Sequence, residues 1–197
     1  MSVSGSGIRG RNGVSAGQSA PIGATVYPQG VNFSIYSRTA AAIDLLLFDH
    51  VDDGSPSRVI PLDRRRNRTH NYWHCFVAGL AEGQLYGYRA YGAYDPPAGR
   101  RFDPDKLLLD PYGRGVATPS GYSRAAAKQR GDNTAVAMKS VVVDPRRYDW
   151  EGDAPLQRPF NRTIIYEMHV RGFTRHPSSG MSPHLAGSYP GLVEKIP

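Results

Sequence analysis

From Pro21 onward, apolar and polar residues alternate in short bursts separated by turn chemistry. Val31, Phe33 and Ile35 alternate with Asn32, Ser34 and Tyr36, and a period of two marks a strand with one face buried. Ile43 to Phe48 is apolar except for Asp44, which predicts a more deeply buried strand. Asp52 to Pro56 is turn chemistry, and Arg58 to Leu62, limited by Pro61, reads as a short edge strand. Trp73, Cys75 and Val77 then share one face, with Tyr72, His74 and Phe76 on the other. Gly79 to Gly83 turns the chain, and Leu85 to Tyr91 forms another strand with Tyr86 and Tyr88 on one face. Short strands at such intervals, with no long amphipathic helix among them, predict a mainly β chain built as an antiparallel β-sandwich.

Beyond Tyr91 the pattern weakens. Gly92 to Arg101 reads as loop, and Lys106 to Leu109 is a brief apolar stretch. Gly113 to Arg130 is rich in Gly, Ser and Ala, with helix expected only around Arg124 to Arg130. Lys139 to Val143 reads as a strand, and Asp144 to Asn161 as a linker packed over a surface. Thr163 to Val170 is the second clear strand signal: Ile164, Tyr166, Met168 and Val170 face one way, Ile165, Glu167 and His169 the other. Leu192 to Ile196 reads as the opening of a helix. The first twenty residues are Gly/Ser-rich, carry no acid and lack an apolar signal core, so a flexible tail is expected there.

Charge adds one question. The 197 residues hold 24 Lys and Arg against 17 Asp and Glu, a net +7, and the excess is almost all arginine. Its densest run is Arg64, Arg65, Arg66 and Arg68, set among Pro61, Asp63, Asn67 and Thr69. Those neighbours predict a solvated hairpin tip. No helix-turn-helix, zinc-finger or RNA-recognition pattern accompanies the run, which disfavours a nucleic-acid partner. No window approaches the ~18 apolar residues of a membrane span. One cysteine, Cys75, excludes an internal disulfide framework and a cysteine-based zinc site. It reads as a small buried hydrophobe in a reducing compartment, the cytoplasm. The six histidines show no metal-ligand spacing, and no cofactor is expected.

Three stretches carry a resemblance. The long segment Tyr86-Gly-Tyr-Arg-Ala-Tyr-Gly-Ala-Tyr-Asp-Pro-Pro-Ala-Gly-Arg-Arg-Phe-Asp-Pro-Asp-Lys-Leu-Leu-Leu-Asp-Pro-Tyr112 resembles the signature of isoamylase-type glycogen debranching enzymes of the alpha-amylase superfamily. Pro21-Ile-Gly-Ala-Thr with Gly30-Val-Asn-Phe-Ser-Ile-Tyr-Ser37 resembles the opening of their N-terminal sandwich. Thr163-Ile-Ile-Tyr-Glu-Met-His-Val-Arg-Gly-Phe-Thr174 resembles the first strand of their catalytic barrel, and Gly187 to Pro197 the start of the next helix. The pieces occur in the family's order.

After the flexible tail expected over 1–20, the resemblance implies an immunoglobulin-like, carbohydrate-binding type of sandwich over 21–112, a connecting segment over 113–162, and the first strand and beginning of a (β/α)₈ barrel over 163–197. It implies glycogen or a related α-glucan as partner, with hydrolysis of α-1,6 linkages. The family's retaining chemistry uses a nucleophilic and an acidic carboxyl group roughly 5 Å apart, on later barrel strands than this chain carries. The expectation is therefore an N-terminal portion, not catalytic alone, whose partner is the missing barrel domain. The alternatives are a stand-alone α-glucan-binding module and a basic β protein that binds nucleic acid. Glu167 and His169, on one face of the first barrel strand, are expected to be interior hydrogen-bonding residues rather than a catalytic acid/base pair. Candidate glucan-binding residues are Trp73, a flat aromatic whose strand face reads as core, and Tyr91 and Tyr94 in a Gly/Pro loop. The loop from His50 to Ser57 lacks the Trp that glucan-binding sandwiches often carry there, so the sandwich could instead serve to shape the barrel's cleft.

Overall fold

A computed structural model describes residues 13–196. They divide into two compact units, the first ending at Asp149 and the second starting at Trp150.

The first unit is a β-sandwich. Its strands in chain order are β1 (Val14–Ser15), β2 (Gly23–Tyr27), β3 (Gly30–Tyr36), β4 (Ala42–Phe48), β5 (Arg58–Leu62), β6 (Arg68–Thr69), β7 (Tyr72–Ala78), β8 (Leu85–Tyr91), β9 (Tyr94–Asp95), β10 (Arg100–Arg101), β11 (Gly115–Ala117) and β12 (Lys139–Val141). One sheet runs β1-β7-β3-β2, with β6 also on β7. The other runs β11-β12-β8-β4-β5, and β9 with β10 makes a separate ribbon. The pairings are antiparallel.

The alternation along the strands decides what meets between the sheets. Val31 and Phe33 of β3 and Trp73, Cys75 and Val77 of β7 face Ile43, Leu45 and Leu47 of β4 and Tyr86 and Tyr88 of β8. Burying each such side chain contributes about 1.5–3 kcal/mol. Phe33 and Tyr86 meet edge to face, ring centres 5.0 Å apart, a favoured aromatic geometry. Cys75 is fully buried, and burial pushes its thiol up to about 12.

β4 is buried on its other face too. Leu46 and Phe48 pack with Leu107 and Ala137 in a second cluster, so part of the chain after β10 forms an outer layer over this sheet. Polar side chains pin that layer. The Tyr86 hydroxyl donates to Asp110 Oδ2 at 2.8 Å, and the Tyr112 N–H donates to Asp110 Oδ1 at 2.8 Å. The Asp110 N–H in turn donates to Ser140 Oγ at 3.0 Å. Burial raises the Asp110 carboxyl above the usual range, against the pull of these two donors. Lys139 is buried, its ammonium donating to the Val51 carbonyl at 2.6 Å and the Thr134 carbonyl at 3.3 Å. Asp103 accepts the Gly131 N–H at 2.8 Å and the Asp105 N–H at 3.2 Å. The Gly131 bond is the main reason its carboxyl lies below the ordinary value.

Three expectations for this unit need correction. The segment 113–162 is not only a connector: β11 and β12 complete the second sheet, with β12 on β8. Without them the N–H and C=O groups along that edge of β8 would lack strand partners. The expected flexible tail lies outside the described residues only as far as residue 12. From residue 13 it docks, with Val14 opposite Val77. Buried polar groups on the outer face of the first sheet require that cover: His74 Nδ1 bonds the Ala16 carbonyl at 2.7 Å and Nε2 meets Thr69 Oγ1 at 2.9 Å. Of the arginine run, Arg64 to Arg66 are exposed as expected while Arg68 is half-buried in β6, and the tip is not a hairpin: Arg64 to Arg66 occupy the turn that carries the chain from β5 in one sheet to β6 in the other. That turn is closed by Asp63 Oδ1, which accepts the N–H groups of Arg65 and Arg66 at 2.8 and 2.9 Å. The expected helix is present as α1 (Arg124–Lys128), capped by Ser123.

In the second unit the strand expected over Thr163 to Val170 does not form. Residues 163–169 join no sheet, and Val170–Phe173 is a helical turn, α2, whose first free N–H groups include one capped by His169. A parallel-barrel strand draws its hydrogen bonds from neighbouring strands, and none pairs with it among the described residues. Ile164 is accordingly 97% exposed, and Ile165 and Tyr166 are exposed as well. The unit is organised around Thr174, whose hydroxyl accepts the Gly187 N–H at 2.8 Å and whose carbonyl accepts from Ser179 Oγ at 2.8 Å. The final helix, α3 (Tyr189–Val193), starts at a Ser188 cap with Pro190 in its first turn, earlier than its apolar residues indicate. No helix among the described residues is long and apolar enough to cross a membrane.

Three outcomes follow from these contacts. Cys75 will resist a thiol reagent at pH 8 in the folded protein and react once denaturant is added; native-state labelling at the rate of a free thiol would contradict the core assignment. Asp103→Asn will unfold at lower temperature than the parent at pH 7. A depressed folded pKa stabilises above the unfolded value of about 3.9 and that stability is lost as pH falls through the folded value, so the gap is expected to narrow progressively as the pH is lowered below about 4. A chain ending at Arg162 will be more soluble than the full chain, because it sheds the exposed apolar run from Ile164 to Met168; equal or lower solubility argues against that run as a source of association.

Candidate carbohydrate site

The ribbon of β9 and β10 builds a site around Tyr94, one of the two candidate tyrosines. Asp95 caps a 3₁₀ turn at Pro96–Ala98 by accepting the Ala98 N–H. Gly99 closes that turn with φ +74°, a left-handed conformation that glycine adopts without penalty. The chain thereby folds back and sets Arg101 opposite Tyr94 and Arg100 opposite Asp95.

A groove of about 460 Å³ opens beside this ribbon, within the range of small-molecule sites. Tyr94 and Phe102 supply its aromatic surface, and Arg100, Arg101, Lys106, Lys128 and Arg130 its charge, against the single acid Asp103. Tyr94 is 47% exposed. The Arg130 guanidinium lies over one side of its ring, 4.0 Å from the centre, and also reaches Asp103 Oδ2 at 3.7 Å. Lys106 is held by donating to the Ala126 carbonyl at 2.7 Å. One face of Tyr94 is thus covered by a cation while guanidinium and ammonium donors stand around the rest. That arrangement can take a sugar ring by its C–H face and bond its hydroxyl oxygens.

The other candidates separate from it. Trp73 is fully buried between the sheets, its indole N–H donating to the Ser37 carbonyl at 3.2 Å and Arg68 lying over its ring. It offers no face to a sugar, and its place among the candidates is corrected: the residue is core because it shares a strand face with Cys75 and Val77. Tyr91 is half-buried at the end of β8 and donates its hydroxyl to Asp44 Oδ2 at 2.7 Å. That bond is the first cause of its raised phenol pKa. It does not line the Tyr94 groove. Glu167 and His169 are exposed rather than interior, and His169 accepts the Gly172 N–H on Nδ1 at 3.1 Å. No group of three or more metal-ligating side chains occurs among the described residues.

Sequence reading missed Arg100, Arg101, Lys128 and Arg130 as groove residues. The two pairs lie almost thirty residues apart in stretches without periodicity. Only the outer layer over β4 brings them together.

Comparison with known proteins bears on this geometry. Residues 21–113 match the family model of carbohydrate-binding module 48, the isoamylase N-terminal domain. The chain is 38% identical over 185 residues to isoamylase 1, chloroplastic, of Oryza sativa subsp. japonica, covering 93% of this chain and 22% of that protein. It is 42% identical over 186 residues to the glycogen debranching enzyme of Cronobacter sakazakii, covering 91% of this chain and 27% of that one. The apo pullulanase of Paenibacillus barengoltzii superposes with a TM-score of 0.59 at 25% identity, over 90% of this chain and 23% of its own. The chain thus spans about a quarter of the relatives it matches. Residues 21–113, which hold most of the sandwich and the Tyr94 ribbon, are thus similar to carbohydrate-binding module 48, the isoamylase N-terminal domain.

Proposed function

We propose that this chain is the glucan-recognising N-terminal portion of a debranching glycoside hydrolase acting on α-1,6 linkages in glycogen or a related α-glucan. The match of residues 21–113 to carbohydrate-binding module 48 carries this reading. Similarity along more than nine-tenths of the chain to an isoamylase and a glycogen debranching enzyme supports it. The carboxyl groups that cleave the bond belong to the catalytic barrel of such an enzyme, for which residues 163–196 supply the opening segment. That segment takes up its strand only when neighbouring barrel strands pair with it. The sandwich holds the polymer beside that barrel, with Tyr94 as its sugar platform. The compartment proposed is the cytoplasm, on the strength of a single buried cysteine.

Retention of the purified chain on insoluble amylopectin, with reducing-sugar release measured in parallel, tests this. The chain is expected to bind and to release none. Tyr94→Ala is expected to weaken retention about two- to twelvefold, the loss of one aromatic contact of ~0.5–1.5 kcal/mol. Absence of binding would remove the glucan reading, and sugar release by the chain alone would remove the division of labour.

A further inference from the structure

A second groove lies on the outer face of the first sheet, where the segment around β1 docks. It measures about 310 Å³, and every residue that lines it is uncharged: Tyr27, Phe76, Gln18, Gln29, Ser15 and Asn32 around Gly17. In a chain with 24 basic and 17 acidic residues, a wall without charge selects against ionic ligands, because no countercharge would repay an ion's desolvation.

The groove is built rather than incidental. Asn32 is buried, and its side-chain amide is locked by two bonds to Gln18: the Gln18 N–H donates to Asn32 Oδ1 at 2.7 Å, and Asn32 Nδ2 donates to the Gln18 carbonyl at 2.9 Å. Gly17 lies so close to β7 that a Cβ would sit 2.5 Å from the Cys75 carbonyl carbon and 2.6 Å from the Phe76 nitrogen, at φ +72°. Only glycine fits there. This tight seat fixes Ser15 and Gln18 as one wall. Tyr27 and Phe76 meet edge to face at 6.3 Å and 64°, so their rings form a bent apolar floor. The side-chain amides of Gln18 and Gln29 make no hydrogen bond among the described residues.

Aromatic surface flanked by unengaged neutral donors and acceptors suits a polyhydroxylated, uncharged ligand. Rings cover the C–H face of a sugar, and amides bond its hydroxyl groups. We infer that the Tyr27–Phe76 groove is a second α-glucan subsite, separate from the basic Tyr94 groove, so that the sandwich holds two stretches of polymer at once. The inference rests on the α-glucan reading above.

The test is an NMR titration of the ¹⁵N-labelled full chain with maltoheptaose, following the side-chain amide signals of Gln18 and Gln29, beside amylopectin retention. Both signals are expected to shift in the parent and equally in Tyr94→Ala. The double variant Gln18→Ala/Gln29→Ala removes two side chains whose amides make no hydrogen bond among the described residues, so its fold is expected to persist, checked by an unchanged melting temperature. It is expected to lose at least fivefold in retention, and combining it with Tyr94→Ala is expected to lose more than either alone. If the parent binds but the Gln18 and Gln29 signals stay still and the double variant binds like the parent, this subsite is overturned and the α-glucan reading stands. If the parent binds neither maltoheptaose nor amylopectin, both fall.

Discussion

A strand that is apolar on both faces obliges the chain to cover it twice. Leu45 and Leu47 of β4 are covered by the facing sheet, but Leu46 and Phe48 on the reverse need a second layer. Leu107 and Ala137 supply it. Everything between them must then be anchored near β4 by polar contacts, since the segment has little regular structure of its own. Asp110 on the Tyr86 hydroxyl, Lys139 on two carbonyls, and Asp103 on the Gly131 N–H are those anchors. The Tyr94 groove is a by-product of that cover, because one of its walls belongs to the ribbon and the other to the outer layer.

The first sheet solves a different problem by similar means. Its outer face carries polar side chains beside the rings of Tyr27 and Phe76, and three of the polar ones, Asn32, Ser34 and His74, are buried. The docked segment from residue 13 satisfies all three with its backbone groups. Where the second sheet is covered to bury hydrocarbon, the first is covered to complete hydrogen bonds. One cover leaves a basic groove behind and the other a neutral one.

What could be read from sequence follows this division. The strands whose faces alternate, β3, β7 and β8, were legible because period two survives in their side chains, and β4 because its nearly unbroken apolar run marks a strand covered on both faces. The same pattern that marked Trp73 as flat and aromatic also marked it as core. Elements whose reason for existing lies elsewhere in the chain were not legible. Val14 is held by Val77 and Ala16 by His74, and nothing local in a Gly/Ser-rich stretch signals that. The run from Thr163 to Val170 has the pattern of a strand, yet alternation describes only which face would be buried. The hydrogen bonds must come from neighbours, and the described residues hold none. The groove arginines were invisible for the same reason: charge carries no period, and their proximity is made by tertiary cover.

The crossing turn at Arg64 to Arg66 separates the sandwich into two halves that are interlaced rather than stacked. The half before it supplies β1, β2 and β3 to one sheet and β4 and β5 to the other; the half after it supplies β6 and β7 to the first and β8, β11 and β12 to the second. The central seams, β3 with β7 and β4 with β8, both run between halves. A break in the backbone at this exposed turn therefore cuts no sheet, and the two pieces remain zipped along both seams. The sandwich has the architecture of a split protein, with each fragment serving as template for the other.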